Sequence, residues 1–237
     1  MAVQDLIQTN NEITINKEFE DITDYLKECI KERKSKGNER YRKEEDKKLL
    51  KRCEEHISLF ERKIETSNLI IIVHPFYLQL TDSDKLKKET IKKEANDYTQ
   101  KLIKLLSERD KEKTGLIILE TLHHYTATTS RLLEEGIADR VIITEYDSGA
   151  PLHEYLLEEF FDRKMYVAGG YKKKCLKASL RAILRRKTPN EHEVYAIKDL
   201  IVDSPLELPK SIKPKEIIGI DQEQVITLDE MIKLINE

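Results

Sequence analysis

The 237-residue chain, 39% of it hydrophobic, is long enough to bury a substantial core and suits one α/β domain plus an accessory piece. Charged residues make up 37%, but 42 basic and 45 acidic side chains nearly cancel, which excludes a global positive field for nucleic acid and the acidic excess of a disordered chain. No apolar run reaches about 18 residues, and "MAVQDLIQTNNEI" lacks the basic start and apolar stretch of a secretory signal, so a cytoplasmic protein without a membrane partner is expected.

Residues 17–66 are rich in Lys, Glu and Arg, and their apolar residues recur at helical spacing. Phe19, Ile22, Leu26, Cys29 and Ile30 share one face, Gly37 and Asn38 supply a break, and Leu49, Leu50, Cys53, Ile57, Phe60 and Ile64 stripe a second helix. Residues 1–66 are therefore read as an N-terminal helical hairpin. Such a polar hairpin must lean on the rest of the chain or on a second copy, which makes a homo-oligomer through these helices an expectation. Interleaved glutamates dilute the basic run "KERKSKGNERYRK", so phosphate gripping is the weaker reading and no nucleic-acid partner is expected. Cys29 and Cys53 fall inside the apolar stripes, as small packers do. With Cys175 they make an odd set without CxxC spacing, which speaks against a disulfide framework and a Cys-rich zinc site.

Over residues 67–237 short apolar runs alternate with amphipathic segments. "NLIIIV", "GLIILE", "RVIITE", "KMYVAG", "VYAIKDLIV" and "EIIGI" read as strands, separated by helical patterns that end in "TLDEMIKLI". Runs that are apolar throughout belong to strands covered on both faces, so the predicted fold class is three-layer α/β with a mainly parallel, Rossmann-like sheet. Asp82 and Asp84 are candidate caps for the helix after the first strand, Gly136 ends a later one, and Thr227 with Glu230 forms a capping box.

In an open α/β sheet ligands bind beyond the carboxyl ends of the strands. That rule selects His74; Glu120 with His123 and His124; Glu145, Asp147 and Ser148; Gly169, Gly170 and Cys175; and Asp203. Three chemistries fit these residue types. Cys175 at the first turn of a helix, near Lys172, Lys173 and Lys174, has the setting of an activated thiolate, although a cysteine at such a turn also serves as a plain packer. His74, Glu120, His123 or His124 are candidate ligands for a divalent metal, or simply hydrogen-bonding groups in the crevice. "GGYKKK", with Gly169, Gly170 and Tyr171, is a weak candidate for anion binding through backbone N–H groups.

The segment "VAGGYKKKCLKAS" carries Gly169, Cys175, Leu176 and Ser179 in a register that resembles the isochorismatase-like cysteine hydrolases, the superfamily of isochorismatases, nicotinamidases and carbamoylases. "TEYDSGAPLHEYLLEEF" is similar to the family's serine-and-helix segment, with Ser148 and Leu152 matching, and "VYAIKDLIVDSP" to the strand that follows the cysteine helix. The likeness spans roughly residues 67 to 235. It implies a cysteine nucleophile at Cys175, with an Asp at the end of the first strand and a Lys before the serine segment. Those positions hold His74 and a residue near Thr144.

The expectation is a rewired cysteine hydrolase of a small amide or related substrate. His74 would be the base, Glu120 or Glu145 would orient it, and N–H groups at the start of the Cys175 helix would face the oxyanion. Gly169, Gly170, Tyr171 and Ser148 would line the ligand site. No cofactor is required, a divalent metal on His123 or His124 being the alternative. The rival expectation is a catalytically silent member of the same fold that binds a small ligand or a protein.

Overall fold

The computed structural model describes residues 39–75, 89–125, 129–145, 149–170, 172–185, 193–202 and 220–236. Outside them lie the first helix of the expected hairpin and its Gly37–Asn38 break, the Asp82 and Asp84 caps, residues 216–219 of the expected strand "EIIGI", and the site candidates Asp147, Ser148, Tyr171 and Asp203. Of His123 the backbone alone is described.

Among the described residues six strands form one sheet: β1 (Asn68–Val73), β2 (Thr114–Thr121), β3 (Arg140–Thr144), β4 (Lys164–Gly170), β5 (Val194–Val202) and β6 (Val225–Ile226). Their order is β3-β2-β1-β4-β5-β6, and every neighbouring pair is parallel. This is the three-layer α/β architecture expected from the alternation of apolar runs with amphipathic segments. The order reverses between β1 and β4, the switch point at which such sheets open a crevice.

The strands read as continuously apolar because they have two cores to fill. Successive side chains of a strand point to opposite faces. Ile70 and Ile72 of β1 enter one core and Leu69, Ile71 and Val73 the other, all at most 1% exposed. Each such side chain contributes about 1.5–3 kcal/mol on burial, which makes β1 the anchor of both layers.

The first core is covered by α1 (Glu39–Phe60), α2 (Glu89–Glu108), the short α3 (Leu122–His124) and α4 (Ser130–Glu134), and the C-terminal helix Leu228–Asn236. The second is covered by the 3-10 segment Glu154–Phe160 and by α5 (Lys177–Arg185). The C-terminal helix, α6, begins with the expected capping box: Thr227 N–H donates to Glu230 Oε2 at 2.6 Å and Glu230 N–H donates to Thr227 Oγ1 at 3.1 Å. Gly136, at φ +63°, follows α4 as expected. Among the described residues no helix is long and apolar enough to cross a membrane.

Helix α1 lies against the sheet layer. Cys53 and Ile57 are buried in the first core with Leu49 and Leu50 beside them, whereas Leu59 is 77% exposed. Ile64 lies past the end of the helix and fills the second core. The same helix reaches the segment after β3, where Glu54 meets His153 at 3.3 Å.

At the switch point β4 presses on β1 through a glycine. Gly169 pairs with Val73 at φ +109°, and a Cβ added there would lie 1.9 Å from the Val73 carbonyl oxygen. Both the space and the backbone conformation exclude a side chain. Gly169→Ala should therefore cost about 2–4 kcal/mol of stability, read as a lower denaturation midpoint, whereas Gly170→Ala, whose Cβ would approach a Val202 methine carbon at 3.3 Å, should be milder.

Candidate active site

Strand β1 ends at Val73, and the next residue turns sharply. His74 is the one non-glycine residue of positive φ among the described residues, at +48°. Its N–H still donates to Leu119 O at 2.8 Å, extending the ladder with β2, and the residue is 2% exposed. A left-handed histidine costs about 1–2 kcal/mol, so the conformation is held by its surroundings. Strand alternation alone would put residue 74 on the same face as Ile70 and Ile72. Instead Nε2 lies 3.0 Å from Thr144 Oγ1, at the end of β3, two strands away. A hydroxyl both donates and accepts, so Thr144 suits either tautomer of the ring.

On the other side of the switch, β4 leads into a π-helical turn, Lys172–Leu176, from which α5 continues. Cys175 therefore sits in a widened turn rather than the first turn of an α-helix. Such turns recur at functional sites. The cysteine is 2% exposed and belongs to the second core. What covers it is the strap after β3. The strap folds back on the strand as an antiparallel return: Pro151 bridges Thr144, Glu145 N–H donates to Ala150 O at 2.7 Å, and Leu152 N–H donates to Ile143 O at 2.9 Å. Gly149, at φ +71°, lies so close that an added Cβ would stand 2.6 Å from both Cα and Cβ of Cys175. The buried Ser179 hydroxyl donates to Gly149 O at 2.5 Å, with Cys175 O, one helical turn back, its other acceptor at 3.0 Å.

Glu120 belongs elsewhere. Its parity on β2 is that of Leu116 and Ile118, which face the first core, whereas Cys175 lies in the second. The carboxylate is fully buried; Oε1 accepts from Thr121 N–H at 2.8 Å and Oε2 from the Thr129 hydroxyl at 2.9 Å. His124 Nδ1 is 3.4 Å from Oε1. Burial, and secondarily the Glu120 charge, pushes the Tyr98 phenol well above its ordinary range. Glu145 is exposed at the start of the strap. Thr144 Oγ1 stands within hydrogen-bonding distance of His74 Nε2.

The same face of the sheet carries a chain of contacts that sequence reasoning missed. His56 of α1 places Nδ1 2.7 Å from the Tyr125 hydroxyl and Nε2 3.2 Å from Glu134. With the proton on Nε2, the phenol donates to Nδ1 while Nε2–H faces the carboxylate. Residue 56 is far in the chain from residues 125 and 134, and a lone histidine on a polar helix carries no signal of this chain of contacts. Gly149 was also missed; its only signal was the turn-forming "DSGAP".

Of the candidate metal ligands the His123 side chain lies outside the described residues. Both Glu120 oxygens already accept hydrogen bonds, one imidazole stands beside them, and among the described residues no three His, Cys, Asp or Glu side chains come together as a metal needs.

No protein-family model matches the sequence, and no curated protein matches it. Among solved structures the chain is similar to a cysteine hydrolase from Pseudomonas syringae pv. phaseolicola 1448A, at 16% identity, covering 72% of this chain and 92% of that one with a TM-score of 0.45. It is also similar to an isochorismatase-like hydrolase from Alkaliphilus metalliredigens, at 17% identity, covering 71% of this chain and 99% of that one with a TM-score of 0.43.

Two outcomes follow from this geometry. Thr144→Val leaves His74 Nε2 facing a methyl group and should cost about 1–3 kcal/mol, with Thr144→Ser recovering most of it, measured by denaturant unfolding. Burial pushes the Cys53 thiol up from 9.0 to about 11. The stability from keeping it protonated is therefore whole below pH 9 and lost as the pH rises toward 11, a loss absent from Cys53→Ala.

Proposed function

We propose that the protein is a cysteine hydrolase acting on a small amide or related substrate, with Cys175 as nucleophile and His74 as base. The observation that carries this reading is the pairing at the switch point. The strand that ends in the strained His74 is hydrogen-bonded to the strand that opens into the Cys175 turn, through Val73 and Gly169. Strain of this kind concentrates where a side chain must be aimed rather than merely packed. The resemblance of "VAGGYKKKCLKAS" to the isochorismatase-like nucleophile segment points the same way.

In the proposed step the Cys175 thiol gives its proton to neutral His74 and the sulfur attacks the substrate carbonyl carbon. The proton passes from His74 to the leaving amine as the carbon–nitrogen bond breaks, which leaves a thioester. Water, deprotonated by the same imidazole, then adds to the thioester and releases the acid and the thiol. Thr144 holds the ring through its hydroxyl at His74 Nε2. Since Cys175 is 2% exposed with Gly149 against its Cα and Cβ, substrate reaches it when the strap shifts. We place this activity in the cytoplasm.

The 2% exposure of Cys175 favours a second reading, in which the crevice binds a ligand without turnover. The thiol separates the two. In a chain with Cys29→Ala and Cys53→Ala, alkylation of Cys175 should titrate with a midpoint well below about 8.5, and His74→Gln should move that midpoint upward. Hydrolysis across a panel of small amides and esters should fall at least about a hundredfold in both His74→Gln and Cys175→Ala. Slow alkylation with an ordinary midpoint, and no Cys175-dependent turnover, would leave the binding module.

A further inference from the structure

At the amino edge of the sheet, remote from Cys175, three connections bring cations together. Arg62 follows α1, Arg109 and Lys111 lie between α2 and β2, and Gly136–Asp139 lead into β3. The Arg109 side chain is fully buried; NH1 donates to Asp139 Oδ2 at 2.9 Å and NH2 to Ile137 O at 2.7 Å. Its Nε is buried with no hydrogen-bond partner. The same Asp139 oxygen, Oδ2, also accepts from Leu116 N–H at 2.7 Å. Above this floor, Lys111 Nζ donates to Gly136 O at 3.0 Å. The Arg62 guanidinium lies against Gly136, where an added Cβ would overlap its NH2.

Three cations thus face the single negative charge of Asp139, with Arg62 and Lys111 together at Gly136. The repulsion is felt. Burial first, then the Arg109 and Arg62 charges, hold the Lys111 amine below its ordinary value, with Asp139 opposing them. Like charges gathered over a buried guanidinium are unfavourable unless an anion completes the set. A planar guanidinium with a neighbouring ammonium is a donor set suited to a tetrahedral oxyanion.

We propose that Arg62 and Lys111, with the buried Arg109 charge beneath them, form a binding site for a phosphate group. The two exposed side chains would contact the oxygens, and Arg109 would act through its field rather than by contact. Gly136 keeps the floor open, since any side chain there would displace Arg62. The site is independent of the hydrolase reading, because it shares no residue with the Cys175 crevice.

The test uses the full chain and reads thermal unfolding in inorganic phosphate, in glycerol phosphate as a monoester, and in potassium chloride at matched ionic strength. At about 100 times Kd, phosphate should raise Tm by about 5–10 °C in a saturable way. Arg62→Ala and Lys111→Ala should lose that response while Arg62→Lys keeps part of it, and isothermal titration of the same four proteins should show heat only where Tm responds. A larger response to the monoester would assign a phosphorylated small molecule, and a response to phosphate alone the free ion. A rise matched by potassium chloride, or one retained in both alanine variants, would overturn the proposal.

Discussion

The carboxyl edge of this sheet depends on how closely β4 can approach β1. That approach is set by Gly169, whose missing Cβ leaves room for the Val73 carbonyl and whose φ of +109° no ordinary side chain would tolerate. Because β4 ends flush against β1, the turn that carries Cys175 starts beside the residue after Val73, which is His74. The chain then spends strain at that residue. A positive φ breaks the alternation of β1 and sends the imidazole across the end of β2 to Thr144 on β3. Two backbone departures, one at each side of the switch point, therefore shape the crevice more than any single polar contact does.

The sheet also divides the polar groups of that edge between its faces. Glu120 is as buried as any residue in the protein, yet its parity takes it toward α2 and α4, where Thr129 and His124 surround it. Cys175 packs on the opposite face beneath Gly149. Side chains one residue apart along a strand can thus belong to different chemistry. The Glu120 side is closed by α1, whose His56 links Tyr125 to Glu134 and whose Cys53 and Ile57 complete the core. The described helix of the N-terminal region is in this way part of the wall behind the sheet.

The fold was legible because its signals are local. "NLIIIV" and "GLIILE" lack the alternation of a half-exposed strand, and a strand with no polar face needs layers on both sides. Capping at Thr227 and Glu230 likewise depends on residues three apart. The filter of strand ends found His74, Gly169 and Cys175 without any coordinates, since residue order fixes which positions follow an apolar run. It could not choose among the carboxylates. Whether Glu120 or Thr144 stands within reach of His74 depends on strand parity and on one positive φ, and neither is written in the spacing of the residues.

The sequence by itself determined the layers, the strand ends and the cysteine turn, because hydrophobic periodicity and chain order are properties of neighbouring residues. Only the tertiary structure decided which of those ends meet. Gly149 comes to lie on Cys175, Thr144 comes to hold His74, and Arg62, Arg109 and Lys111 converge on the Gly136–Asp139 segment. Each of these contacts joins segments far apart in the chain. Their pairing follows from the sheet order and from where backbone atoms can approach without a side chain between them, and both are settled when the whole chain packs.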